Sequence, residues 1–143
     1  MLTKLKFPSI VGDIKFAFLI FALLNSQTLN FGLANIATGT LYSAHGQQGP
    51  LVICLYLHGV SLVLCSLFGF FAAMRKSPIL LLSYAIVLGL LTILNIALAC
   101  FTIKAEVISS GFTFFYCFVD ILIVWSSILL AQACDLYKTS RYL

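Results

Sequence analysis

What this chain has least of is charge. Only 8% of its 143 residues are Asp, Glu, Lys or Arg, where an ordinary soluble domain carries about 25%. Hydrophobic residues make up 62%, and the mean hydropathy is +1.13. A soluble domain of this size cannot hide so much apolar surface, which excludes a water-soluble monomer. Disorder is excluded by the same figures, because low hydrophobicity is its signature. Catalytic patterns are missing too: there is no Ser-His-Asp arrangement, no G-x-S-x-G and no H-E-x-x-H. No metal-ligand spacing occurs. Only His58 lies at membrane depth, so a haem held between facing histidines is not expected. There is no C-x-x-C, which argues against a quinone-linked disulfide-forming enzyme. None of Cys54, Cys65, Cys100, Cys117 and Cys134 falls in an exoplasmic loop, where a structural disulfide would sit. No N-x-[ST] sequon is present. The expectation is a non-enzymatic integral membrane protein with no cofactor.

A helical span needs roughly 20 apolar residues, and four such stretches are present. They run from about 14 to 41, 51 to 74, 79 to 103 and 107 to 133. They are apolar on all sides and longer than the strands of a membrane barrel. Lipid offers the backbone no partner, so each is expected as a helix. The links are short: Tyr42 to Pro50, Arg75 to Pro78, and a turn centred on Lys104-Ala-Glu106 with Ser109-Ser-Gly111 as a restart. Short links make consecutive helices antiparallel neighbours. The expected fold is all-α, one antiparallel four-helix membrane bundle.

Basic residues give the orientation. Lys4, Lys6, Lys15, Arg75, Lys76, Lys138 and Arg141 lie on one side and Lys104 alone on the other. The positive-inside bias makes the rich side cytoplasmic, with both termini there. This bias explains the net charge of +4, and no nucleic-acid partner is expected. The first apolar run is too long for a signal peptide and no A-x-A site follows it, so it reads as an uncleaved span.

The polar residues inside the spans are the informative ones. Asp120 sits near the middle of the fourth span, where a carboxylate costs roughly 2.5–3.5 kcal/mol. It must face the bundle interior or a wet cavity. Ser127 and Cys134 share its helical face, with Thr113 above. Asn25 and Asn95 lie at similar depth and are its expected partners. No Lys or Arg lies there, so a neutral, hydrogen-bond-donating Asp120 is expected. It reads as interhelical glue or, more sharply, as part of a proton or cation relay. His58 is expected to bond a neighbouring backbone or polar group. Cys134, juxtamembrane beside Asp135 and Lys138, is a candidate for S-palmitoylation; the other cysteines read as small packing residues.

Small residues recur every seven positions. Asn25, Gly32 and Gly39 do so in the first span, and Gly59, Ser66 and Ala73 in the second. A seven-residue period keeps one seam facing a partner helix, and small side chains let the backbones approach. Spans one and two should pack tightly as a left-handed pair.

These features resemble the tetraspanin family. Its first span has an Asn followed by Gly at seven-residue steps, as Asn25, Gly32 and Gly39 do here. The run from Gly69 through Phe70, Phe71, Ala72, Ala73, Met74 and Arg75 to Tyr84 is similar to its inner-loop stretch. Leu94-Asn-Ile-Ala97 resembles the end of its third span, Asp120 its fourth-span acid, and Ala131 to Lys138 its Cys-bearing tail. The resemblance covers nearly all the membrane portion. Missing are the large second exoplasmic loop with its Cys-Cys-Gly motif and the inner-loop Cys pair, replaced by Ala72 and Ala73. MARVEL and lysosome-associated four-span families share the topology. The resemblance implies a scaffold in the plasma or endosomal membrane, binding other integral membrane proteins, further copies of itself, and cholesterol between the helix pairs. The Leu136-Tyr137-Lys138 sequence is compatible with sterol contact. The alternative is a transport or channel subunit whose polar path is lined by Asp120, Asn25, Asn95 and His58.

Overall fold

The computed structural model describes residues 8–46, 49–104 and 110–140. They form four α-helices: α1 (Pro8–Ala44), α2 (Pro50–Met74), α3 (Pro78–Lys104) and α4 (Ser110–Ser140). All four are long and apolar enough to cross a membrane, as an integral membrane protein requires. Lys4, Lys6 and Arg141, the residues from Ala105 to Ser109, and the side chains of Lys104 and Thr113 lie outside what is described.

Pro50 and Pro78 open α2 and α3. Pro suits the first turn because its missing N–H has no intrahelical acceptor there. Helix α2 ends in a closed cap: Lys76 N–H donates to Ala73 O at 3.0 Å and Ser77 N–H to Ala72 O at 3.5 Å. This pair of bonds is the Schellman arrangement, whose left-handed position usually holds Gly. Here it holds Lys76, at φ 48°. Helix α4 runs past Ala133 to Ser140, so Asp135 and Lys138 stand on helical backbone.

The packing is inside-out relative to a soluble bundle. Leu57, Leu64, Ile79, Ile86, Ile93, Phe118 and Trp125 are exposed, while Asn25, Thr28, Asn35, His58, Ser66, Thr92, Asn95 and Asp120 are buried. In water this would be an aggregation surface; in hydrocarbon, exposed apolar side chains cost nothing. The apolar part of the core gathers Phe21, Leu62, Leu81, Leu88, Ile123 and Leu130.

The contact between α1 and α2 is the most extensive, and that between α2 and α3 is the smallest of those between consecutive helices. Along the first interface Asn25 meets Ser66, Gly32 meets Gly59 and Gly39 meets Tyr56. Numbers rise on α1 as they fall on α2. A Cβ added to Gly32 would stand 2.8 Å from Gly59 O, and one added to Gly59 would stand 2.7 Å from Gly32 O. Only glycine permits this backbone-to-backbone approach. Gly39 rests on the Tyr56 ring, whose hydroxyl reaches Thr40 Oγ1 at 3.0 Å. Ser66 and Ala73 are buried on the same helix.

Candidate functional site

The buried polar residues form three layers. The first ties α1, α2 and α3 together. Asn25 Nδ2 donates to Ser66 O at 2.9 Å, and Ser66 Oγ donates back to Asn25 O at 3.0 Å. Tyr84 OH donates to Asn25 Oδ1 at 2.6 Å. The Tyr84 ring lies over Gly69, where a Cβ would meet it at 2.6 Å, and edge-on to Phe21 at 5.5 Å. The amide of Asn25 thus works as both donor and acceptor.

The second layer is centred on Asp120. Thr28 Oγ1 on α1 stands 3.4 Å from Oδ1, and Thr92 Oγ1 on α3 stands 3.4 Å from Oδ2. Both distances are long for hydroxyl–carboxyl bonds. The Thr92 hydroxyl has one proton, and Leu88 O holds it at 2.8 Å. The hydroxyl is thus shared between two acceptors, Leu88 O and, more weakly, Asp120 Oδ2. The partners expected from depth alone, Asn25 and Asn95, are not the ones Asp120 meets. Helix phase decides this: Asn25 faces α2 with Gly32, while Thr28 on the neighbouring stripe faces α4. Thr28 and Thr92 carry no sequence signal of their own, because isolated hydroxyls are common in membrane helices. Ser127 is fully buried but bonds within its own helix, to Val124 O at 2.8 Å.

The third layer lies nearer the α1–α2 link and is poorly satisfied. His58 is buried, yet neither ring nitrogen has a hydrogen-bond partner. The polar neighbour of the kind expected for His58 is Asn95, which approaches the ring without completing a well-formed hydrogen bond. The Asn95 amide stands 3.9 Å from Cys117 Sγ. The ring instead sits edge-on to Phe31 at 6.5 Å, and Phe31 stacks on Tyr116 at 3.9 Å. Asn35 Nδ2 is also buried without a partner. His58 borders a small cleft between α2 and α3, with Cys54, Leu57, Ser61 and Leu94.

Cys134, expected at a juxtamembrane surface, is only 3% exposed. It shares the inward face of α4 with Asp120 and Ser127, one heptad step apart. Among the described residues, no three His, Cys, Asp or Glu side chains gather as a metal site would need, and Cys54, Cys65, Cys100, Cys117 and Cys134 are all free thiols. No protein-family model, curated protein or solved structure matches the chain.

Proposed function

We propose that this chain is a non-enzymatic membrane organiser of the tetraspanin kind, without that family's large outer domain. In this reading it is an antiparallel bundle with both ends in the cytoplasm of a plasma or endosomal membrane. It binds other integral membrane proteins sideways through its helix faces, with sterol among its lipid partners. One observation carries the reading: Asn25, Ser66 and Tyr84 spend their hydrogen bonds on one another, while the outer faces present rows of Leu, Ile and Phe. A bundle locked inside and apolar outside has its working surface in the lipid plane. Purification in mild detergent, with photo-crosslinkers at Leu57, Ile86 and Trp125, tests it. A reproducible, stoichiometric membrane-protein partner is expected. A solitary protein that conducts ions in liposomes would overturn it.

The second reading, proton or cation transport, draws on the unpartnered His58 and Asn35 above Asp120. Asp120→Asn separates the two. Packing predicts a folded protein with unchanged flux, and transport predicts a folded protein that has lost it.

A further inference from the structure

At the end of the bundle that carries Lys15 and Lys76, a groove of about 570 Å³ opens toward the lipid. That volume falls within the roughly 300–1,000 Å³ of ordinary small-ligand sites. Its walls are Ile14, Phe18 and Leu19 of α1, Ala73 and Met74 of α2, and Leu130 and Cys134 of α4. Lys15 and Lys76 also line it. Lys138 stands one turn beyond Cys134, adding a third positive charge near its thiol. Asp135 lines the neighbouring groove with Pro78 and Gln132. An apolar slot open to hydrocarbon, with lysines in its lining, matches an acyl chain continued by an anionic headgroup. Lys76 also occupies the left-handed position where Gly would fit without strain.

We propose that this groove seats one anionic phospholipid, its acyl chain between α1 and α4 and its net-negative headgroup between Lys15 and Lys76. The seat does not depend on the organiser reading. Basic pockets between membrane helices hold such headgroups, and each lysine contributes about a fivefold gain in binding.

Native mass spectrometry of the full chain in mild detergent tests this, using dioleoylphosphatidylserine against dioleoylphosphatidylcholine. One phosphatidylserine per chain is expected, preferred by roughly 25-fold, the product of two lysine contributions. Lys15→Gln and Lys76→Gly should each weaken it about fivefold and leave phosphatidylcholine unchanged. Lys76→Gly relaxes the turn, so its loss of lipid does not come from unfolding. Leu19→Trp fills the slot and should weaken retention with no change of charge. Arg75→Gln is the control, because Arg75 lies over the Phe71 ring, 5.3 Å from its centroid, and does not line the groove. Equal retention of both lipids would overturn the proposal, as would an equal loss with Arg75→Gln. So would normal binding by Leu19→Trp, or competition by inorganic phosphate alone. An acyl adduct on Cys134 in the same spectra would make the occupant the chain's own lipid and overturn the free one.

Discussion

The layer around Asn25 and the layer around His58 are built from similar material and end in opposite conditions. Both bury an amide and an aromatic or heteroaromatic ring between three helices. In the first, every polar atom of the Asn25 side chain has a partner on another helix. In the second, both nitrogens of His58 and the amide nitrogen of Asn35 have none. The difference follows helix phase rather than distance from the glycines. Asn25 and Ser66 lie on the Gly32–Gly59 seam, one heptad away, and face each other across it. His58, next to Gly59 in sequence, is off that stripe, with its ring edge-on to Phe31 and bordering the α2–α3 cleft. Which stripe a polar group occupies thus decides whether it is satisfied here, rather than the number of polar groups nearby.

Substitutions can break or sharpen this contrast. The largest effect is expected from Gly59→Val, whose side chain would collide with Gly32 O and Ile36. A loss of about 3 kcal/mol should appear in SDS-titration unfolding of the protein in mixed micelles. Asn25→Leu comes next. It strands the Tyr84 hydroxyl and removes the bond to Ser66 O, and about 2 kcal/mol should be lost; a double-mutant cycle with Tyr84→Phe should show the two coupled. His58→Phe should go the other way and gain about 1 kcal/mol, since it removes two unpaired polar atoms and breaks no bond. A loss equal to that of Asn25→Leu would show the two layers to be alike after all. The smallest effect is expected for Asp120→Asn. It keeps an isosteric polar group between Thr28 and Thr92, so stability should stay within about 0.5 kcal/mol by the same titration.

Much of the architecture could be read from the chain because lipid imposes so few solutions. Long apolar runs must be helices, and four of them stand in the structure. The seven-residue spacing of Gly32 and Gly39, and of Gly59 and Ser66, foretold which faces would touch, because steric permission is written in residue size. Partner choice among polar groups was not legible. Depth placed Asn25, Asn95 and Asp120 together, but depth ignores helix phase, and a rotation of one stripe sends Asn25 to Ser66 and gives Asp120 to two threonines. Cys134 shows the same limit from the other side. Its position near a helix end suggested an accessible thiol, but its place on the Asp120 face buries it.

The short turn at Lys76 joins two helices that hardly touch. Helix α2 packs most closely on α1 and α3 on α4, and α1 against α4 joins these pairs more broadly than α2 against α3 does. The narrower α2–α3 contact leaves a cleft beside His58 and Leu94. A partner helix laid along that cleft would meet Leu57 and Leu94 before the buried imidazole.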